Sequence, residues 1–156
     1  MKAIYLIRHA ESIWQKGIKD FDRTLTSKGI EDAKHLSKQL TCKADLIICS
    51  SATRTKQTSL IFVDALNYNK GKIDFDLSIY EAPLENLIKK VNLIDEAHNT
   101  VLFIGHNPGI TQLANYLGNE NLAPINPCTI IKIELEIDNW QETINGIGII
   151  KDIITP

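Results

Sequence analysis

Residues 4–12 read IYLIRHAES, and this stretch decides the predicted fold. Its apolar part predicts a buried strand over residues 2–8, which ends on Arg8 and is followed by His9. Two later apolar runs lead to similar side chains. The run at 44–49 precedes Arg54, and the run at 99–105 precedes His106. The sequence therefore predicts that three strands deliver two arginines and two histidines to one edge of a sheet.

Short apolar runs alternate with longer amphipathic ones along the chain, a pattern typical of α/β proteins. A weaker third strand is predicted at 73–77. Near the end, isoleucines and leucines alternate with charged residues over 131–137, and a last strand is predicted at 146–153. We expect these two to form an antiparallel edge. The predicted fold is one domain over residues 1–156, a three-layer α/β/α sandwich with a mostly parallel central sheet.

Local signals predict where several elements begin. Thr26 is expected to cap the first long helix, and Ser51 the helix that begins near residue 52. Pro108 is expected in the first turn of a further helix, where its missing N–H costs no hydrogen bond. Trp140 follows a predicted turn, and we expect it to cover the edge of the sheet.

Composition limits the partners. The 156 residues carry a net charge of -2, which provides no basic surface for nucleic acid or for an anionic membrane. No apolar run approaches the roughly 20 residues of a membrane span. The N-terminus lacks the features of a signal peptide, so we expect a cytoplasmic protein whose three cysteines are reduced thiols.

The predicted site suits a phosphoryl group. Ligands of open α/β sheets bind at the carboxyl ends of the strands, where Arg8, Arg54 and His106 are expected. Arginine donors match the oxygens of a phosphoryl group, which carry the charge during its transfer. A neutral imidazole can attack phosphorus, so His9 is the candidate nucleophile. Which of its nitrogens attacks depends on what the other one binds, and the sequence leaves this open.

Four blocks of sequence resemble a known family. Arg8-His9-Ala10-Glu11-Ser12 resembles the Arg-His-Gly signature of the histidine phosphatase superfamily, which has the phosphoglycerate mutase-like fold. Residues 21–29, 50–58 and 105–108 resemble further blocks of that family, in the same order. The compactness of the chain and the segments around Asp22-Arg23 and Tyr80-Glu81-Ala82 look most like the SixA-type phosphohistidine phosphatases.

The resemblance implies roles for five residues. His9 would form the covalent phosphohistidine, and Arg8, Arg54 and His106 would hold the phosphoryl oxygens. Glu81 matches the segment in which many members carry the acid that protonates the leaving group. A carboxyl group that acts as an acid near neutral pH needs a raised pKa, which partial burial would supply.

Other residues near the motifs have open roles. Glu11 is the alternative acid. Arg23 either reaches the pocket or braces its loop, and Ser12 and Gln15 are candidate substrate contacts. Gln15 stands where many mutases have an asparagine that touches phosphate. Ala10 replaces the usual glycine of the signature, which adds a methyl group near the pocket.

A cysteine-based mechanism fits poorly. Only four residues separate Cys49 from Arg54, whereas the loop of cysteine phosphatases has five. Cys49 is also predicted inside a strand, where its sulfur would be buried. No cluster of residues has the spacing of metal ligands, so we expect neither a metal nor another cofactor.

The expected activity is phosphate ester or phosphoamide hydrolysis that releases inorganic phosphate. The connections of this chain are short, so the pocket is expected to be open. An open pocket suits a phosphorylated protein, such as a phosphohistidine signalling domain. Two alternatives stay open: a broad phosphatase that acts on small phosphate esters, and a module that binds a phosphorylated partner without turning it over.

Overall fold

The computed structural model describes residues 1–156. Six strands and four helices make up the fold, and no helix is both long and apolar enough to cross a membrane. In chain order they are β1 (Lys2–Arg8), α1 (Ser27–Ser37), β2 (Leu46–Ser50), α2 (Thr53–Ala65), β3 (Asp74–Asp76), α3 (Leu84–Asn92), β4 (Thr100–Gly105), α4 (Gly109–Gly118), β5 (Ile130–Leu135) and β6 (Gly148–Ile154).

All six strands belong to one sheet, in the order β3-β2-β4-β1-β5-β6. The first four in this order run parallel, whereas β5 is antiparallel to β1 and β6 is antiparallel to β5. This confirms the predicted mixed sheet with an antiparallel C-terminal edge. Arg8 on β1 pairs with Gly105 on β4, so these two parallel strands end side by side. The residues that follow them, His9 and His106, are therefore neighbours.

Helices cover both faces of the sheet, which confirms the three-layer fold. On one face, Ile4 and Leu6 of β1 pack in a core with α3 and α4. On the other face, Ile7 packs in a core with α1 and α2. All three side chains are fully buried, and burial of each stabilises the fold by roughly 1.5–3 kcal/mol. Strand β1, which carries the signature residues, is thus held from both sides.

The segment after β1 is held against the start of α1. Thr26 caps α1 by accepting a hydrogen bond from the Gly29 N–H at 2.9 Å, as predicted. The Thr26 N–H in turn donates to the Glu11 carbonyl at 3.0 Å. A side chain at Gly29 would lie 2.2 Å from that carbonyl oxygen, so only glycine allows this close approach.

Two local predictions need correction. Ala52, not Ser51, precedes α2, and no side chain caps the helix. Instead, the Thr55 hydroxyl inside the first turn lies 2.7 Å from the Ser50 carbonyl and 2.8 Å from the Ala52 carbonyl. Strand β3 is shorter than predicted because a 3₁₀ turn begins at Leu77, where the Asp76 carboxylate accepts from the Ser78 N–H.

The prediction for Trp140 was wrong. Its side chain is fully buried in the core beside α3 and α4 and does not lie over the edge of the sheet. The indole N–H donates to the His98 carbonyl at 2.8 Å, which satisfies its only polar atom. A large apolar ring with a satisfied N–H is more stable in the core than at an exposed edge.

Candidate active site

The structure brings four of the predicted residues together at the carboxyl ends of β1, β2 and β4. His9, Arg54 and His106 are each buried, and the rings of the two histidines lie 5.3 Å apart. Arg8 is half-buried beside them, and its Nη1 donates to the Ile125 carbonyl at 2.7 Å. The Arg8 Nε atom is buried and has no hydrogen-bond partner in the protein.

Hydrogen bonds fix the tautomer of His9. Its Nδ1 lies 2.8 Å from the Ala10 carbonyl, which can only accept, so Nδ1 carries the proton. Nε2 is then left with its lone pair. Arg54 Nε donates to this atom at 3.2 Å, which requires the same tautomer. Of the two ring nitrogens, Nε2 is therefore the unprotonated, basic atom of His9.

The site keeps both histidines uncharged. Burial, reinforced by the neighbouring arginines, lowers the pKa of His9 to about 4. Burial also lowers the pKa of His106 to about 3, with His9 and Arg54 acting in the same direction. At neutral pH both rings are therefore neutral, and the positive charge of the site resides on arginines.

His106 is oriented by a residue that sequence reasoning missed. Its Nε2 lies 2.8 Å from the Ser50 hydroxyl at the end of β2. Its Nδ1 is buried without a hydrogen-bond partner. The Tyr80 ring packs edge-on against the imidazole, with centroids 5.4 Å apart. The only sequence signal for Ser50 was that it is the first residue of the family-like block at 50–58, which also contains Arg54.

Asp20 is the second residue that sequence reasoning missed, and it is the acidic partner of the site. Its Oδ2 accepts from Arg54 Nη2 at 2.9 Å and from the Tyr80 hydroxyl at 2.6 Å, while its carbonyl accepts from Arg54 Nη1 at 2.6 Å. Its Oδ1 accepts from Arg23 Nη1 at 3.0 Å. Asp20 precedes Arg23 by three residues, but nothing in that spacing indicated Arg54, which is 34 residues away.

These contacts set the charge of Asp20. Burial opposes ionisation, but hydrogen bonds from Tyr80, Arg23 and Arg54 outweigh it and hold the pKa of Asp20 well below its ordinary value. The same contact and burial raise the pKa of Tyr80 to about 12, burial being the larger cause. Asp20 is thus an anion that occupies donors of Arg54.

Arg23 braces the loop that carries Asp20. Its Nε donates to the Ile13 carbonyl at 2.9 Å, and its Nη2 donates to the Ser12 hydroxyl at 2.7 Å. Its guanidinium carbon also lies 3.6 Å from the centre of the exposed Trp14 ring. All three guanidinium nitrogens are engaged once the bond to Asp20 is included. Of the two roles open for Arg23, its contacts are those of a loop brace.

The remaining candidates lie at the margin. Gln15 is exposed, and its side chain makes no hydrogen bond. The Glu11 carboxylate lies 2.8 Å from the Thr26 hydroxyl at the start of α1, so it is engaged in helix packing. Glu81 is exposed and lines a cavity that also contacts His106. The partial burial expected for Glu81 is not found, and its backbone has a positive φ of 49°.

The Cys49 prediction is confirmed. Its side chain is fully buried in the core shared with α1 and α2. Burial raises the pKa of its thiol to about 12, so the thiolate is not formed near neutral pH.

The neutral histidines predict a pH-dependent stability. A histidine in the unfolded chain gains a proton below its pKa of about 6.5, whereas His9 and His106 gain theirs only near pH 4 and 3. The unfolded state therefore binds more protons between pH 6.5 and 4.5, and stability falls as the pH falls. The loss is on the order of 2–3 kcal/mol per histidine. Urea unfolding of wild type and His106→Gln at pH 7 and 4.5 measures it.

The His106→Gln variant is expected to lose less stability between pH 7 and pH 4.5 than the wild type does. His35→Gln, at an exposed position on α1, is the matched control and should follow the wild type. Equal losses in wild type and His106→Gln would contradict the assignment of a buried neutral ring.

Comparisons with known proteins agree with this geometry. The model of the histidine phosphatase superfamily (branch 1) matches residues 4–82, which include Arg8, His9 and Arg54. The uncharacterized protein Rv1276c of Mycobacterium tuberculosis is 31% identical over 117 residues, which are 72% of this chain and 70% of that protein. An uncharacterized protein of Mycobacterium leprae, ML1117, is 26% identical over 117 residues, or 69% of this chain and 68% of that protein.

Solved structures share the fold. The protein histidine phosphatase SixA complexed with tungstate superposes with a TM-score of 0.84 at 18% identity, over 98% of this chain and 96% of that chain. A mycobacterial glucosyl-3-phosphoglycerate phosphatase has a TM-score of 0.66 at 13% identity, over 96% and 97% of the two chains. The likeness of these structures extends over the whole fold, and the family match over half of the sequence establishes that the chain belongs to branch 1 of the histidine phosphatase superfamily.

Proposed function

We propose that this protein is a phosphatase that removes the phosphoryl group from phosphohistidine on a protein, with His9 as the nucleophile. The observation that carries the proposal is the unprotonated Nε2 of His9, held next to Arg54 in a buried site. A nitrogen lone pair aimed into a cluster of arginines has the chemistry needed to attack an anionic phosphoryl group.

In the first step, the Nε2 lone pair of His9 forms a bond to phosphorus while the bond from phosphorus to the leaving group breaks. The proton stays on Nδ1, and its hydrogen bond to the Ala10 carbonyl stabilises the positive charge that develops on the ring. The Arg54 donors pass from His9 and Asp20 to the phosphoryl oxygens. Asp20 is therefore displaced when substrate binds, because its carboxylate and the phosphoryl group need the same donors.

Two further groups face the phosphoryl oxygens in this proposal. Arg8 has a buried Nε–H without a partner, which an oxygen would satisfy. If the Ser50 hydroxyl donates to His106 Nε2, the proton of the neutral ring lies on Nδ1, which also lacks a partner. Both unpaired atoms gain a hydrogen bond when the phosphoryl group arrives. In the second step water attacks phosphorus, the bond to His9 breaks and inorganic phosphate leaves.

Glu81 is the proposed acid and base. It would protonate the leaving group in the first step and deprotonate the attacking water in the second. The exposure of Glu81 makes it a modest acid catalyst, which suits a leaving imidazole better than an alkoxide. The SixA neighbour with tungstate, an oxyanion shaped like phosphate, supports the phosphohistidine assignment.

The alternative substrate class is a small phosphate ester. The fold likeness to the mycobacterial glucosyl-3-phosphoglycerate phosphatase favours this class, but its TM-score of 0.66 is lower than the 0.84 of SixA. A module that only binds phosphate would not need the neutral nucleophile that His9 provides.

Removal of the nucleophile tests the proposal. His9→Ala should abolish the phosphoenzyme and lower turnover of phosphohistidine at least about 1000-fold, since no other group supplies the covalent step. Mass spectrometry after rapid mixing with phosphoramidate and an alkaline quench measures the adduct. The wild type should carry an acid-labile phosphate on His9, and a chelator should leave turnover unchanged.

His35→Ala is the matched control, since this histidine lies exposed on α1. It should retain the adduct and the activity. Undiminished turnover by His9→Ala would contradict the proposal. A wild type that binds phosphoramidate but neither forms the adduct nor releases phosphate would favour the binding module.

The role of Glu81 predicts a dependence on the leaving group. Glu81→Gln should lower kcat about 100-fold or more for an alkyl phosphate, whose alkoxide needs a proton as it leaves. The loss should be less than about tenfold for phosphohistidine, because an imidazole is a better leaving group. Steady-state kinetics on both substrates measures the ratio. Glu11→Gln is the matched control, and an equal loss in that variant would assign the acid to Glu11 instead.

A further inference from the structure

A large groove begins at His106 and runs between the loop before α3 and the helix α4. Its volume is 1040 Å³, and Leu87 of α3 and Ile110 of α4 are among its apolar lining residues. Neither His9 nor Arg54 lines it, so the groove is adjacent to the phosphoryl site and distinct from it. His106, whose ring lies 5.3 Å from that of His9, is the boundary between the two.

The lining of the groove indicates that it receives the leaving group. A phosphoryl transfer places the nucleophile and the leaving group on opposite sides of phosphorus. Glu81, the proposed acid for the leaving group, lines the groove together with His106. Pockets for whole small ligands measure about 300–1000 Å³. The groove therefore has room for a polypeptide segment beyond the phosphoryl group itself.

The charges of the groove are opposite to those of the phosphoryl site. Glu81, Glu85 and Glu120 line the groove, and no lysine or arginine does. Glu85 and Glu120 are exposed. Five side-chain amides also line the groove: Asn107, Gln112, Asn115, Asn119 and Asn145. The amides of Asn107 and Asn115 bond within the protein, which leaves those of Gln112, Asn119 and Asn145 for a peptide backbone. A second anionic group on the substrate would be repelled here, whereas a lysine or arginine would be attracted.

We propose that this groove binds the polypeptide segment that carries the phosphohistidine, and that it selects segments with basic residues beside the phosphorylated side chain. The inference rests on the proposed function and deepens it, because it names the chemistry of the partner. The arginines of the site take the phosphoryl group, and the glutamates of the groove take its cationic neighbours. Small anionic phosphate esters place a negative group in this acidic groove and are poor substrates.

Two synthetic peptides of equal length test the proposal. Each carries one phosphohistidine, flanked by lysines in one peptide and by glutamates in the other. Phosphate release by the wild type should give a kcat/KM about tenfold higher for the basic peptide at low salt, since each exposed ion pair contributes modestly. The preference should shrink as the ionic strength rises, because salt screens surface charges.

The double variant Glu85→Lys/Glu120→Lys should reverse the preference, while kcat/KM for the free amino acid phosphohistidine stays unchanged. Glu85→Gln/Glu120→Gln should abolish the preference. Glu31→Lys is the matched control, because Glu31 is exposed on α1, across the sheet from the groove. Its preference should equal that of the wild type.

The outcomes separate the two proposals. If the wild type and the Lys double variant hydrolyse both peptides equally well, the groove proposal is overturned while the proposed function stands. If Glu31→Lys changes the peptide preference as much as the double variant does, the preference reflects net charge. This result also overturns the groove proposal. If neither the peptides nor free phosphohistidine are hydrolysed, the proposed function itself fails, and the inference fails with it.

Discussion

The site depends on one buried, neutral imidazole held between a carbonyl and a guanidinium. The Ala10 carbonyl accepts a hydrogen bond from the Nδ1–H of His9, and Arg54 donates an N–H to the lone pair on Nε2. Burial lowers the pKa of His9 and keeps the ring uncharged at neutral pH. The lone pair on Nε2 becomes free when the Arg54 N–H donates to another acceptor instead. This arrangement needs the ends of parallel strands side by side, which the pairing of β1 with β4 and of β4 with β2 provides.

Asp20 explains how a protein with a net charge of -2 maintains a compact cationic site. Buried or half-buried guanidinium groups without a counterion are costly, and Asp20 is an ion-pair partner of both Arg54 and Arg23. In the proposed mechanism, a phosphoryl group displaces the Asp20 carboxylate from these guanidinium donors. Asp20 already holds the same N–H donors in place around an anion. The site is therefore preorganised for an anion before substrate arrives.

The sequence predicted the parts of the site that lie next to buried strands. Arg8, His9 and His106 directly follow apolar runs, and the rule that parallel strands end at one edge brings them together. Ser50 reaches His106 because β2 and β4 are paired, and it was missed because the predicted second strand stopped at residue 49. Asp20 could not be found in this way, because its contact to Arg54 spans 34 residues and depends on how a polar loop folds. A loop without periodicity gives no pattern from which such a contact can be predicted.

Burial was predicted well for apolar runs and poorly for single residues between elements. Trp140 lies in the core because its indole N–H reaches the His98 carbonyl, a contact between distant loops. Glu81 is exposed and has a positive φ, and no glycine beside it in the sequence indicates such a turn. The central claim is that Nε2 of His9 is the nucleophile. Its most direct test is NMR of the phosphoenzyme made from ¹⁵N-histidine-labelled protein, quenched in alkali and digested. Coupling of ³¹P to Nε2 of His9 is the predicted result, whereas a phosphoryl group on Nδ1, or on any other residue, would contradict the account.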